Sequence, residues 1–247
     1  MGGALARGLA EPMLVVDADP ARAEALAAEL GGEAAASVAD LAAHADAIVL
    51  CHKPSQLADV AEEVGGRARA VISILGATTV TALELAYPGI PVFRFMPSIA
   101  AEVRLGALCY VAGSLAAEAE NGALEAAVLE RFSRLGTIHR LDDERLIEPA
   151  TALMGCGPGF LALVIEALVD AGVSHGLAVE DATAMTVETM AGTAAVLAAH
   201  GNDPVALRRR VTSPGGSTAA GVAALESAGI RAAFGAAVGA AVGVASR

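Results

Sequence analysis

The chain has 247 residues, enough for one large domain or two smaller ones, and carries a formal net charge of −12 with a pI of about 4.8. This acidic balance argues against nucleic acid and against an anionic membrane as partners. Hydrophobic residues make up 55% of the chain but aromatic residues only 3%, so a core of closely packed small side chains is expected.

The cysteines and the first residues bear on the cellular compartment. The three cysteines are widely spaced and include no C-x-x-C pair, which argues against a metal site or a disulfide framework. The sequence does not open on a basic region followed by an apolar run. We therefore expect a cytoplasmic protein in a reducing environment.

Short apolar runs alternate with helical patterns in the first part of the chain. Asp19 and Pro20 are typical of a helix start, and the helix is expected to run to Leu30. Further helices are predicted at residues 1–9, from about 55, at 80–85 and at 118–135. Strands are predicted at residues 13–17, 47–51, 70–75, 91–95, 108–112 and 137–140. This alternation predicts an α/β fold with a doubly wound parallel sheet over residues 1–143.

The pattern changes near residue 144, after which no convincing strand is found. Helical patterns cover residues 146–171, 179–200, 204–210 and the stretch beyond 218, and glycines at 155, 157 and 159 interrupt the first of them. Residues 144–247 are therefore predicted to form an all-helical domain of plausible independent size.

The N-terminus contains part of a dinucleotide-binding pattern. Such a unit runs strand, G-x-G-x-x-G, helix, strand, acid. Gly2 fits the third glycine, and Asp17 then falls where the acid that binds the ribose belongs. The first strand and the first two glycines would precede Met1, so we hypothesise an N-terminal truncation or a misassigned start codon. Met1, Gly2 and Asp17 are candidate cofactor-binding residues.

Cofactor choice depends on the residues after the second strand of that pattern. Asp17 and Asp19 place carboxylates there, which favour the free 2′-hydroxyl of NADH and repel the 2′-phosphate of NADPH. No arginine follows the strand directly, and Arg22 is the nearest. The sequence thus predicts an NAD(P)H site with a preference for NADH.

The sequence VTSPGGST at residues 211–218 links two helical patterns. Its glycines allow a close backbone approach, and the long pattern from Thr218 makes this loop a helix N-terminus. Unpaired N–H groups and the partial positive charge at such an end suit a small anion such as a carboxylate. The simpler alternative is a corner between two helices, capped by a serine or threonine.

The C-terminal stretch at 218–244 is rich in Ala, Gly and Val. Gly235, Gly239 and Gly243 recur at four-residue spacing, as in helix dimers within membranes. Glu226 and Arg231 interrupt the apolar run, so we expect close packing against another soluble helix rather than a membrane span.

The stretch LRRRVTSPGGSTAAGVAALE at residues 207–226 resembles the long signature of the pyrroline-5-carboxylate reductase family. The resemblance extends over essentially the whole chain. Residues 1–9 resemble the family's helix after the glycine-rich fingerprint, and IEAL with DAGV at residues 165–173 resembles its dimerisation helix. HKP at residues 52–54 stands where the family has VKP, and FMP at residues 95–97 stands where it has VMP.

The resemblance implies reduction of L-1-pyrroline-5-carboxylate to L-proline, the last step of proline biosynthesis, by hydride transfer to a cyclic imine. It implies a Rossmann-like domain followed by a helical dimerisation domain, and so a homodimer or larger homo-oligomer. Thr218 matches the threonine that hydrogen-bonds the imine nitrogen, which makes it the expected catalytic residue. The implied substrate-binding residues are Ser213, Gly215, Gly216, Ser217 and Thr218, and the further implied cofactor-binding residues are Cys51, His52, Lys53, Ile74 and Gly76.

Several positions depart from the family pattern. MPNTPA becomes MPSIAA at residues 96–101, and ALSGSGPAY becomes ALMGCGPGF at residues 152–160. Met154, Cys156 and Phe160 thereby replace polar residues, and lost hydrogen bonds can change substrate preference strongly. Two alternatives stay open: a reductase acting on another cyclic imine, and a weakly active interaction protein that keeps the helical dimer but has lost cofactor binding.

Overall fold

The computed structural model describes residues 1–245. The chain divides into two compact units, Met1–Cys156 together with Ala241–Arg247, and Gly157–Ala240. The seven strands of the described residues all lie in the first unit. They are β1 (Leu14–Val15), β2 (Glu33–Ala34), β3 (Ala47–Leu50), β4 (Ala70–Ser73), β5 (Val92–Pro97), β6 (Gly106–Ala112) and β7 (Gly136–Arg140).

Strands β3 to β7 form one five-stranded sheet in chain order. Neighbours pair in parallel except β5 and β6, which are antiparallel. Only a short 3-10 helix, Ile99–Val103, lies between those two strands, and a parallel crossover needs a dozen residues or more. The predicted doubly wound sheet is confirmed, and it is parallel except at this one pairing.

Strands β1 and β2 pair in parallel with each other and not with the larger sheet. Leu14 and Val16 nevertheless pack against the core that contains Ile48 and Leu50 at β3, so β1 and β3 face a common core. In a dinucleotide-binding sheet the first strand lies at the centre, between the strands that correspond to β1 and β3. Within residues 1–245 no strand occupies that position.

The helices of the first unit cover both faces of the sheet. Asp19, Ser37 and Thr79 cap the helices that begin at Pro20, Val38 and Val80 through their side chains, as short polar residues do. Strand β2 and helix α3 were not predicted, because two and seven residues give too little periodicity. The helices are α1 (Gly2–Leu9), α2 (Pro20–Leu30), α3 (Val38–His44), α4 (Leu57–Val64), α5 (Val80–Ala86), α6 (Gly122–Ser133) and α7 (Ile147–Met154).

The few aromatic residues concentrate in one of two buried cores. Phe95 stacks on Tyr110 and on Phe132, with ring centroids 4.7 Å and 4.5 Å apart. This core also includes Leu5 and Leu9 of α1, so it holds α1 and α6 against the sheet. The second core, which includes Val64 and Leu83, is formed by α3, α4 and α5. The two cores together hold these helices in place at the ends of the strands.

The second unit is helical, as predicted. Helices α8 and α9 pack on each other, and the break before α8 falls at Gly155 and Cys156, where the sequence placed it. A residue in the left-handed region, Gly229 with φ 78°, separates α11 from α12. The helices are α8 (Gly157–Ser174), α9 (Val179–Ala199), α10 (Pro204–Val211), α11 (Ser217–Ser227) and α12 (Ile230–Ala245), the end of which belongs to the first unit.

Several of these helices present apolar side chains to solvent in the single chain. The segments Glu144–Ser174 and Val179–Ala199 are long and apolar enough to cross a membrane by length and composition alone. Helices α11 and α12 pass the same test only as a pair, which is bent by 51°. The exposed side chains include Leu161, Leu163, Leu168, Val179, Met185, Leu225 and Phe234.

Candidate functional site

The N-terminus of α1 lies against the end of β3. A Cβ atom on Gly2 would lie 2.9 Å from Cys51 Cβ and 3.0 Å from its Sγ, so only glycine allows this approach. Met1 is the N-cap and makes no capping hydrogen bond through its side chain. The first N–H groups of α1 are therefore open to an anion, as a bound pyrophosphate requires.

Asp17 follows β1 and is exposed. One of its carboxylate oxygens accepts a hydrogen bond from the Asp19 backbone N–H at 2.9 Å, which orients the side chain. Asp19 caps α2 and forms an ion pair with Arg22 at 3.3 Å. The arginine nearest to this strand is thus already paired with a carboxylate.

The residues after β3 form a short turn. Because a carbonyl only accepts hydrogen bonds, His52 Nδ1 carries the proton and donates to the Lys53 carbonyl oxygen at 2.9 Å. His52 Nε2 is buried and has no hydrogen-bond partner within residues 1–245. Cys51 keeps an exposed edge, but its packing in this turn desolvates the thiol and raises its pKa to about 11. The thiol is therefore neutral at pH 7.

The turn after β4, residues 74–79, is held in a strained conformation. Ala77 has a φ of 51°, in the left-handed region that favours glycine. Ser73 Oγ accepts from the Leu75 N–H, and the Thr78 hydroxyl donates to the Gly76 carbonyl, each at 3.2 Å. We call residues 74–79 the β4–α5 loop. Ile74 is buried at its start, and Gly76 is exposed.

Three of the predicted cofactor positions meet at one sheet edge. Strands β3 and β4 are parallel, with Leu50 paired to Ser73, so Cys51 and Ile74 follow directly at neighbouring strand ends. Gly2 joins them through its contact with Cys51. Asp17 lies at the end of β1 in the smaller sheet. The arrangement fits a dinucleotide, because an uncapped helix N-terminus, a close glycine approach and an unpartnered buried ring nitrogen share this edge.

The predicted substrate residues lie in the second unit, between α10 and α11. Gly215 has a φ of 72°, and the Gly216 N–H donates to the Ser213 carbonyl at 3.1 Å. Gly216 is the N-cap of α11, and no side-chain hydrogen bond caps that helix. A serine or threonine cap, the simpler interpretation of this loop, is therefore not what the structure shows. Ser217 and Thr218 are exposed in the first turn.

A charged cluster connects the helices on either side of this loop. Glu226 accepts two hydrogen bonds from Arg231 Nε and one from Arg231 Nη2, at 2.6–3.0 Å, and lies 3.7 Å from Arg208 Nη1. These arginines hold the pKa of the Glu226 carboxyl below its ordinary value. The Thr212 hydroxyl donates to the Arg208 carbonyl at 2.5 Å, so the end of α10 is fixed next to the loop.

Sequence analysis did not find a buried ion pair that involves the larger sheet of the first unit. Arg94, in the middle of β5, is 2% exposed and donates to Glu144 at 2.5 Å, with Glu148 at 3.5 Å. A charge inside an apolar strand signals a buried partner. Its identity could not be inferred, because Glu144 lies 50 residues further along the chain.

Comparisons with known proteins agree with this geometry. Residues 144–247 match the family model for pyrroline-5-carboxylate reductase dimerisation, and residues 1–76 match that for NADP oxidoreductase, coenzyme F420-dependent. A pyrroline-5-carboxylate reductase of Treponema pallidum is 33% identical over 246 residues, which cover 94% of this chain and 92% of that protein. A pyrroline-5-carboxylate reductase of Methanosarcina acetivorans is 36% identical, over 85% of this chain and 77% of that protein. The chain belongs to the pyrroline-5-carboxylate reductase family.

Solved structures of the pyrroline-5-carboxylate reductase family share its fold. The pyrroline carboxylate reductase of Plasmodium falciparum with NADP bound superposes with a TM-score of 0.86 at 28% identity, covering 100% of this chain and 93% of that one. The enzyme of Coxiella burnetii gives the same TM-score and identity, covering 99% and 94%. The chain is thus a member of an oxidoreductase family with a Rossmann-like sheet and a helical dimerisation domain.

Proposed function

We propose that this protein reduces L-1-pyrroline-5-carboxylate to L-proline with NAD(P)H, as the final step of proline biosynthesis. One observation carries the proposal: the N-terminus of α11, preceded by SPGG, has no side-chain cap and exposes its first N–H groups. The substrate carries the carboxylate that such a helix end binds. The neighbouring hydroxyls supply further hydrogen bonds.

We assign the substrate carboxylate to Ser213 and to the backbone N–H groups of Gly215, Ser217 and Thr218. Gly216 shapes the turn, because its own N–H donates to the Ser213 carbonyl. Holding the carboxylate there fixes the direction of the C=N bond, and positioning of this kind supplies much of an enzyme's rate. Thr218 is the proposed catalytic residue, with its hydroxyl hydrogen-bonded to the imine nitrogen. A protonated nitrogen makes the ring carbon more electrophilic, so this contact promotes its reduction.

The cofactor residues are proposed at the sheet edge described above. The first N–H groups of α1, next to Met1 and Gly2, would hold the pyrophosphate, and Asp17 would hold a ribose hydroxyl. The ends of β3 and β4 would hold the nicotinamide half of the cofactor, through Cys51, His52, Lys53, Ile74 and Gly76. When bound, the reduced nicotinamide supplies the hydride. The chain's part is to orient it and to exclude water.

We propose NADH as the preferred cofactor, because the carboxylates of Asp17 and Asp19 would repel the 2′-phosphate of NADPH and Arg22 is paired with Asp19. Titration by the fluorescence of the reduced cofactor gives the two dissociation constants. We expect tighter binding of NADH, and we expect Asp17→Ser to narrow the difference by improving NADPH binding. Equal affinities in the natural protein would overturn the preference.

We propose two domains, residues 1–143 and 144–247, and a homodimer or larger homo-oligomer formed through the second. The exposed apolar side chains of α8 and α9 support the assembly, since large exposed apolar patches mark contact surfaces. Light scattering after size-exclusion chromatography tests it, and a monomer at micromolar concentration would contradict it. A cytoplasmic location is proposed with this assembly.

A second substrate is favoured by a contact at the end of α7. Cys109 Sγ lies 3.8 Å from Met154 Sδ, so a thiol–thioether contact occupies a position where the family has a serine. A less polar surrounding suits a larger or less polar cyclic imine. The deciding assay compares cofactor oxidation with pyrroline-5-carboxylate and with its six-membered homologue. Failure of both imines, together with no cofactor binding, would favour an interaction protein.

A further inference from the structure

The β4–α5 loop is held at its far end by a carboxylate from a distant part of the chain. Val80 is the first residue of α5, and its backbone N–H donates to Glu144 Oε1 at 2.7 Å. The same oxygen accepts from Arg94 Nη1 at 2.5 Å. Glu144 lies in a 3-10 helix, Glu144–Leu146, directly before α7.

This contact fixes a loop that does not hold its shape by itself. The φ of 51° at Ala77 is unfavourable for a residue with a Cβ atom, and such conformations persist only where the surroundings impose them. The side-chain hydrogen bonds that Ser73 and Thr78 make to backbone groups of the loop are both 3.2 Å long. The bond from Val80 to Glu144 is shorter and has a charged acceptor, and such bonds are the stronger ones.

Burial makes the Glu144 contact rigid. Arg94 is 2% exposed and belongs to the central strand β5, while the Glu144 side chain is 27% exposed. The cation therefore holds the carboxylate in one place, and the carboxylate in turn holds the start of α5. Glu148 pairs with the same arginine at 3.5 Å, but it makes no hydrogen bond to α5 within residues 1–245.

We infer that Glu144 is a positioning residue for the cofactor, acting through the Val80 N–H to hold the β4–α5 loop in its binding conformation. The inference rests on the proposed cofactor site, because Ile74 and Gly76 are assigned to that site by family resemblance. Loss of the contact lowers the fraction of molecules with a competent loop, and the apparent affinity falls in proportion. The ion pair with Arg94 anchors the carboxylate and does not itself touch the loop.

Four single variants separate positioning from general stability. Glu144→Ala removes the acceptor. Val80→Pro removes the donor while keeping the Arg94 pair, and proline is favourable as the first residue of a helix. Glu148→Ala removes the other carboxylate beside Arg94 and is the matched control. Glu144→Gln keeps an acceptor oxygen and is the conservative rescue.

The measurements are the NADH dissociation constant, by fluorescence, and hydrogen exchange of a peptide covering residues 74–79 without cofactor. We expect Glu144→Ala and Val80→Pro to weaken NADH binding about fivefold or more and to speed that exchange. Glu148→Ala should stay within about twofold of the natural protein in both measurements. Glu144→Gln should lie between the natural protein and Glu144→Ala, because it keeps an acceptor oxygen but loses the charge that Arg94 holds. The double variant Glu144→Ala/Val80→Pro should bind NADH no more weakly than either single variant, because both substitutions remove the same hydrogen bond.

Three results would overturn the inference. They are unchanged exchange and affinity in Val80→Pro, an equal loss in Glu148→Ala, and a loss in Glu144→Gln as large as in Glu144→Ala. If Glu144→Ala does not fold, Val80→Pro decides. If the natural protein binds neither NADH nor NADPH, the proposed function fails, whereas the exchange measurement still tests the hold of Glu144 on the loop.

Discussion

Gly2 and Cys51 are in direct contact at the point where α1 begins and β3 ends, and a Cβ atom on Gly2 would lie 2.9 Å from that of Cys51. Gly2→Ala should therefore lower the free energy of unfolding by about 1–3 kcal/mol, as overpacking of a tight contact does. It should also weaken cofactor binding. Urea unfolding and NADH titration measure the two effects.

Gly3→Ala is the control for this prediction, because a Cβ atom there meets only Arg7 Nη1 at 3.5 Å. It should leave stability unchanged or raise it. Adding Cys51→Gly to Gly2→Ala should recover part of the loss, since it removes the colliding atom. A Gly2→Ala variant as stable as the natural protein would show that the contact is looser than described.

Ala77→Gly should stabilise the protein. Relief of the left-handed φ of 51° is worth about 1–2 kcal/mol, and the extra freedom of glycine in the unfolded chain offsets part of it. A net gain of about 0.5–1 kcal/mol in urea unfolding is expected. Ala82→Gly, in helix α5, should change stability by a similar amount in the opposite direction. A lower free energy of unfolding for Ala77→Gly would show that Ala77 is not strained.

Tyr87 predicts an alkaline loss of stability. Its hydroxyl is buried without a hydrogen-bond partner within residues 1–245, and burial raises the pKa of the phenol from 10.0 to about 12. The folded state thus favours the neutral form, so this contribution is complete below pH 10 and is lost as the pH rises towards 12. Unfolding free energies measured at neutral pH and across that window should show the fall.

Tyr87→Phe should reduce that alkaline loss. It should also raise stability at neutral pH by about 1 kcal/mol, because an unpaired buried hydroxyl is removed. The comparison variant is Tyr110→Phe, whose hydroxyl donates to Glu125 at 2.8 Å and whose loss should destabilise instead. Equal effects of the two substitutions would refute the difference in pairing.

The two hydroxyls assigned to the substrate should act on different kinetic constants. Thr218→Ala should lower kcat at least about tenfold, since a group that contacts the reacting nitrogen is lost. Ser213→Ala should mainly raise KM, since it contacts only the carboxylate. Ser227→Ala, at the far end of α11, serves as the control and should change neither constant. Full turnover in Thr218→Ala would refute the role given to that hydroxyl.

Sequence analysis predicted the local features well. The cap at Asp19 and the break at Gly155 and Cys156 depend on residues that are close in sequence, and local rules describe them. The start of α11 was left open between an anion site and a serine or threonine cap, and the structure shows no side-chain cap there. Long-range contacts were not accessible in this way.

The sequence by itself determined the alternation of strands and helices, the change to an all-helical second half and the motif that identifies the family, because each is written in neighbouring residues. Only the tertiary structure decided that β6 runs antiparallel to β5, that Arg94 is neutralised by Glu144, and that the same carboxylate holds the start of α5 at Val80. Those partners lie far apart along the chain. The Arg94–Glu144 pair is rigid because it is buried, and it becomes buried only when the chain has folded.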